Sequence, residues 1–166
     1  MKKSLLGQRM KAFRERCKDL GLSLTYQRLS IYKALLQVPG HPSPDAIYQV
    51  VRKTYPSISL ATVYKTLDRF EKSGLVSKVN PLHETARYDP KVEHHHHLVC
   101  TECKHVEDLD PQELTRPLPL DPRSLGLPEG RCRDFDVADY TITFKGVCQA
   151  CRRRLARAPR TGAGAA

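Results

Sequence analysis

The 166-residue chain lacks any apolar run near the ~18 residues that would mark a membrane-spanning helix. Its first ten residues carry lysine and arginine but no apolar signal core behind them, so no secretory leader is read there. No internal repeat is visible. Acidic residues are scarce, 18 against 28 basic ones, which leaves a net charge of +10. A composition 40% hydrophobic and 28% charged excludes disorder of the whole chain. The expectation is a soluble cytoplasmic protein of two small domains or one medium one.

The charge is unevenly spread. Residues 1–90 hold 16 Lys and Arg against 7 Asp and Glu, whereas residues 91–151 hold 7 against 11. Residues 152–166 add five arginines and no acid. An N-terminal half this basic suits a polyanion, either nucleic acid or an anionic membrane surface. A solvated face gives the same charge count, and charge alone does not separate these readings.

Four helical stretches precede the first cysteine pair. The first is basic and amphipathic, from residue 3 to about 20, with Gly21 as its stop. Thr25 caps a second, which carries Leu29, Tyr32, Leu35 and Leu36 and ends at Pro39-Gly40. Ser43-Pro44 opens a third, with serine as cap and proline at the first helical position. Ser59 caps a fourth that reaches Ser73 and closes at Gly74. On this last helix Leu60, Val63, Leu67 and Phe70 form a core stripe, while Thr62, Lys65, Arg69 and Lys72 face away and Tyr64 lies on the flank.

Residues 75–79 and 85–89 alternate as strands about an Asn80-Pro81 turn. Helices followed by a short ribbon describe a winged helix-turn-helix. Further on, residues 94–99, 106–109 and 135–144 read as strands. Residues 115–131 hold four prolines and cannot form continuous helix or central strand. The arginine-rich tail is expected to be disordered beyond Leu155.

Six cysteines fall into two tight pairs, Cys100/Cys103 and Cys148/Cys151, and two singles, Cys17 and Cys132. In an intracellular chain, two such pairs point to zinc before disulfides. Four thiolates complete a tetrahedral Zn²⁺ shell and leave no open position, which makes the site structural. The two single cysteines read as buried or tolerated thiols.

A run of four histidines, His94 to His97, stands just ahead of Cys100. In a strand, His95 and His97 share a face while His94 and His96 point the other way. Asp89 lies upstream and Asp108 follows the cysteine pair. Imidazole with carboxylate is a ligand set for Fe²⁺, Mn²⁺ or Zn²⁺.

The fourth helix carries the remaining signal. Lys65 and Arg69 have the reach for base edges or phosphate in a major groove, and Thr62 and Tyr64 suit phosphate or thymine-methyl contact. A helix-break-helix order and a following ribbon strengthen that reading.

Together, Ala61-Thr62-Val63-Tyr64-Lys65-Thr66-Leu67, the His95-x-His97-x-x-Cys100-x-x-Cys103 string and Cys148-x-x-Cys151 resemble the ferric uptake regulator family. The likeness runs in order from about residue 5 to about residue 153. It implies an α+β fold, with a winged-helix DNA-binding domain (1–90), an α/β dimerisation and metal-binding domain (91–155) and a basic tail (156–166). It also implies a homodimer that binds double-stranded operator DNA when loaded with metal, with structural zinc on Cys100, Cys103, Cys148 and Cys151. The regulatory Fe²⁺ or Mn²⁺ would fall to His41, Asp89, His95, His97 and Asp108. A lone loop histidine such as His41 would not be singled out without the resemblance.

Asp89 and Asp108 resemble most the peroxide-responsive repressors of that family, since iron-uptake regulators tend to carry glutamate there. On that likeness His41 and His95 match the positions that peroxide oxidises on the iron-loaded protein. Self-modification of this kind is not enzymatic turnover. Tyr140 stands where some members have a histidine of an additional metal site.

Three other readings stand beside this one. An iron- or zinc-responsive uptake repressor would share the architecture. A zinc-dependent hydrolase would need a general base separate from the ligands, and none is apparent. A zinc-ribbon interaction module would leave the basic N-terminal half unexplained.

Overall fold

Each helix of the N-terminal half begins where a side chain can satisfy its first free amides. In a computed structural model, which describes residues 2–79, 85–116 and 137–157 with Leu118 and Ser124, α1 spans Lys2–Asp19, α2 Tyr26–Gln37, α3 Pro44–Thr54 and α4 Leu60–Lys72. Thr25, Ser43 and Ser59 accept the amides of Arg28, Ala46 and Thr62 as N-caps, as their positions predict. At the far end of α4, Gly74 adopts φ +64°, and Leu75 N–H donates to the Phe70 carbonyl while Gly74 N–H donates to that of Glu71. This left-handed closure strains any residue with a Cβ.

The chain divides into two compact units, Met1–Glu93 and His94–Ala166. The first has its core among the four helices. Phe13 of α1 stacks on Tyr32 of α2, with ring centroids 3.8 Å apart, and meets Phe70 of α4 edge-on at 5.2 Å. Val63, Leu67 and Phe70 are fully buried as the helical stripe predicts, and Thr66 joins them, while Leu60 is only half-buried. Cys17 lies in the same core, where burial pushes its thiol up, so it is an inert packing group. A ribbon follows, with β1 (Ser77–Val79) antiparallel to β2 (Arg87–Asp89) and Ser77 opposite Asp89. Both strands are shorter than the alternation predicts; ahead of β1, Leu75 and Val76 are buried in the core instead.

The second unit is a three-stranded sheet in the order β4-β3-β5, with β3 His96–Cys100, β4 Val106–Leu109 and β5 Thr143–Gly146. Helix α5, Gln149–Arg157, follows β5. β3 pairs antiparallel with β4 and parallel with β5.

Two expectations need correction. The strand read over 135–144 starts only at Thr143 and runs on to Gly146; 137–142 form no strand, although the Ile142 carbonyl accepts the His97 amide. Asp139 explains why: its carboxylate accepts the Tyr140 amide and the His94 imidazole, which diverts the local backbone from a ladder. The tail was expected to lose order after Leu155, yet α5 continues through Ala156 and Arg157. Alanine and arginine favour helix, and arginines in the last turn complement its dipole. The Asn80-Pro81 turn, most of 115–131, Cys132 and residues 158–166 lie outside the described residues.

Candidate metal centres and nucleic-acid-facing helix

Cys100 ends β3, and a tight turn brings Cys103 back beside it. Lys104 closes that turn at φ +61°, its N–H donating to the Cys100 carbonyl at 3.0 Å. The parallel register sets Gly146 opposite Cys100, so Cys148 emerges two residues later at the same end of the sheet. Cys151 sits in the first turn of α5. One sulfur from each lies within 4.8 Å of the others, and none is in a disulfide.

The Cys103 and Cys148 sulfurs are 3.8 Å apart. A tetrahedron with Zn–S near 2.3 Å has edges of roughly 3.8 Å, so this spacing fits zinc and is far too long for a disulfide. Backbone N–H groups of Cys148 and Cys103 hold the Cys100 thiol down to about 6, whereas burial and the three neighbouring sulfurs push Cys151 up to about 12. Thiolates this close together repel one another. Four thiolates therefore need a divalent cation, and the donor set fits structural Zn²⁺.

In the N-terminal unit, one backbone and one side-chain hydrogen bond join the loop after α2 to the second ribbon strand. Tyr88 N–H donates to the Pro42 carbonyl and the Arg87 guanidinium to that of His41, both at 3.0 Å. Gly40, at φ +72°, turns the chain just before His41. The consequence is that His41 Nε2 lies 3.3 Å from Asp89 Oδ2, both side chains buried. His41, which the sequence offered only through resemblance, thus meets a carboxylate from a strand 48 residues on.

In the second unit, His95 and His97 share a face as strand alternation predicts, with ring centroids 4.6 Å apart. Asp108 pairs directly with His97 across β3 and β4, and its Oδ1 lies 3.6 Å from His95 Nε2. Both imidazoles are buried. Two buried imidazoles and a partly buried carboxylate that converge make a borderline ligand set for Fe²⁺, Mn²⁺ or Zn²⁺.

The opposite face holds a grouping the sequence did not reveal. His94 Nδ1 lies 3.0 Å from Asp139 Oδ1, and Tyr140 packs against His94 and His96. Burial and the neighbouring His94 and His95 lower the proton affinity of His96. The histidine alternation pointed to this face, but Asp139 belongs to a segment read as strand, which hid its role.

On α4, Lys65 and Arg69 are exposed and make no ion pair with a described residue. Lys72 is tied to Asp68 at 2.9 Å. The Thr62 hydroxyl is 2.8 Å from that of Ser59, within the helix cap, and the Tyr64 hydroxyl donates to Asp45. Lys65 and Arg69 are thus the side chains with uncommitted donors. Among the described residues, no helix is long and apolar enough to cross a membrane.

Comparison with known proteins places this geometry. Residues 19–123 match the model of the ferric uptake regulator family. The chain is 30% identical over 132 residues to the peroxide-responsive repressor of Staphylococcus epidermidis, covering 80% of this chain and 83% of that one. Its fold resembles the Campylobacter jejuni peroxide stress regulator at a TM-score of 0.56 and 30% identity, over 85% of this chain and 97% of that one. A zinc uptake regulator solved with zinc and DNA superposes at a TM-score of 0.62 over 93% of this chain and 97% of that one, and at 21% identity this shows the shared fold alone.

Proposed function

Because the chain belongs to the ferric uptake regulator family of metal-responsive transcription regulators, which are not enzymes, we propose that it is a homodimeric repressor that binds operator DNA and senses hydrogen peroxide. Residues 1–90 would bind DNA and residues 91–155 would dimerise and hold metal, with 156–166 as a basic tail. Structural zinc belongs to Cys100, Cys103, Cys148 and Cys151. The regulatory Fe²⁺ or Mn²⁺ is assigned to His41, Asp89, His95, His97 and Asp108. Thr62, Tyr64, Lys65 and Arg69 form the DNA-facing set.

The observation that carries the reading is the cluster of buried His95 and His97 with partly buried Asp108, all-nitrogen and oxygen, in the same unit as an all-sulfur site. Soft and borderline donors are kept apart, so two ions of different chemistry are sorted by ligand type. The His41–Asp89 pair offers the same donors from the other unit. An ion that takes ligands from both units favours the one arrangement in which they converge, and shifts the population toward it. Two aspartates rather than glutamates, together with the likeness to peroxide-responsive relatives, support peroxide as the signal.

Iron supplies reductive cleavage of peroxide beside its own imidazole ligands. His41 and His95 are the rings that would take up oxygen, and an oxidised imidazole is a poorer ligand. Manganese would support repression without that chemistry.

The test titrates metal-depleted protein, zinc retained, with Fe²⁺, Mn²⁺ or Zn²⁺ while following operator binding with and without peroxide. Iron-loaded protein is expected to release DNA on low peroxide and to show oxygen added to His41 and His95 by mass spectrometry. Unmodified histidines with iron-dependent DNA binding would instead make it an iron- or zinc-responsive uptake repressor.

A further inference from the structure

The four sulfurs of the zinc site differ in how their remaining lone pairs are satisfied. Cys100 accepts the backbone N–H of Cys148 at 3.3 Å. Cys103 is exposed and open to water, and Cys148 is half-buried. Cys151 is buried at 4% exposure, so water does not serve it. Its donor is a side chain: Arg154 Nη2 lies 3.9 Å from Cys151 Sγ. The two are three residues apart on α5 and therefore share a face. Among the described residues Arg154 makes no ion pair with a carboxylate, so its guanidinium is available to the sulfur.

Charge gives this contact its weight. Four thiolates around one Zn²⁺ carry a net charge of −2, and the most buried of them holds its charge where hydration is weakest. A guanidinium is always protonated, weakly hydrated and a good donor at an interface between protein and solvent. We propose that Arg154 is a positioning residue of the zinc centre, whose N–H···S contact with Cys151 offsets the excess negative charge and slows the loss of the ion. Arg152, Arg153, Arg154 and Arg157 are all exposed on this helix, and among the described residues Arg153 makes no contact with a sulfur. Among the described residues, Arg154 is thus the arginine of this run whose guanidinium donates to a sulfur of the site.

The inference rests on the four cysteines holding zinc and is independent of the peroxide reading. Zinc-loaded full-length protein is mixed with a chromophoric chelator at fixed pH and ionic strength, and zinc release is timed for wild type, Arg154→Gln and Arg153→Gln. Both variants lose one charge from α5 and gain a good helix former. Loss of an outer-shell partner weakens metal retention by about tenfold or more, so Arg154→Gln should release zinc about tenfold faster and Arg153→Gln at the wild-type rate. Equal rates in the two variants, whether raised or not, would overturn the proposal, since bulk charge would then be the whole effect.

Cobalt-substituted protein gives a second readout. Removing an N–H···S donor raises the energy of the sulfur lone pair, so the thiolate-to-cobalt charge-transfer band of Arg154→Gln should move to longer wavelength. That of Arg153→Gln should not. Should Arg154→Gln fail to fold, Arg154→Ala keeps a strong helix former and has no side-chain donor, and the same band is expected to shift. An unmoved band in the folded Arg154 variant would show that no donor had been removed. Wild-type protein without bound zinc would defeat the zinc reading itself, a separate result.

Discussion

The Tyr64 hydroxyl on α4 donates to the Asp45 carboxylate on α3 at 3.1 Å. This commits the one donor of Tyr64 within the protein and leaves the ring as the part that can meet DNA. A typical intramolecular hydrogen bond contributes about 0.5–1.5 kcal/mol to stability, and an exposed one such as this falls at or below the lower end. Tyr64→Phe is therefore expected to lower the thermal midpoint slightly and to keep most of the operator affinity. Tyr64→Ala removes the ring and should weaken binding further. Equal losses in the two variants, measured by fluorescence anisotropy on labelled operator, would return the hydroxyl to the DNA contact.

Arg69 stands on the same helix with its guanidinium uncommitted to any described acid. A bidentate base contact is worth about 1–3 kcal/mol of discrimination, whereas a phosphate contact weakens all sequences alike and lowers the salt slope by about one. Arg69→Ala is expected to cost operator affinity in that range. Comparing operator with scrambled duplex across salt concentrations separates the two roles. An unchanged affinity on both would place Arg69 outside the interface.

The fold was legible wherever local chemistry decides it. Thr25, Ser43 and Ser59 announced their helices, and Gly74 its closure, because capping needs only residues within a turn. The four-cysteine site was legible because each pair brings two ligands within reach through a short turn. His95 and His97 followed from strand alternation alone. His41 did not, since its partner Asp89 is reached through bonds from the Arg87 guanidinium and the Tyr88 amide that no local pattern encodes. Asp139 misled for the opposite reason: in a segment of good strand formers, one side chain bonding to Tyr140 and His94 outweighs propensity.

Cys100 has the most connected position in the zinc site, at the end of β3 and in contact with the Cys148 amide. Cys100→Ser replaces a soft thiolate by a poor zinc ligand. Structural Zn²⁺ contributes roughly 10 kcal/mol or more to folding. The variant is expected to lose zinc and to unfold or become monomeric, as read by metal analysis and sedimentation. A folded, DNA-binding dimer without zinc would contradict a structural role for the four sulfurs.

Selective removal of the second ion tests the regulatory assignment. A mild chelator should strip the imidazole and carboxylate ligands first, because four thiolates hold zinc in a closed shell with no open position for attack. Such protein, with one zinc retained per chain, is expected to bind operator far more weakly. Affinity should return on adding Mn²⁺. Undiminished binding after verified removal would mean that DNA recognition does not depend on that ion.

Asp108 faces His97 across the sheet and lies 3.6 Å from His95, which keeps its carboxylate on a short tether. Glutamate adds one methylene at a position that is only partly buried, so the longer arm has room to move. A longer, more mobile carboxylate would present both of its oxygens to a bound ion more readily than aspartate. Metal binding would tolerate that change, whereas peroxide would have to compete with the second oxygen for iron. Asp108→Glu is therefore expected to keep metal-dependent operator binding, within a few-fold of wild type, and to lose release by peroxide. The check is paired: anisotropy for DNA release, and peptide mass spectrometry for oxygen on His41 and His95. Unchanged oxidation in the glutamate variant would remove Asp108 as the residue that tunes sensing, while lost DNA binding with full metal occupancy would show that the tether itself sets the geometry for repression.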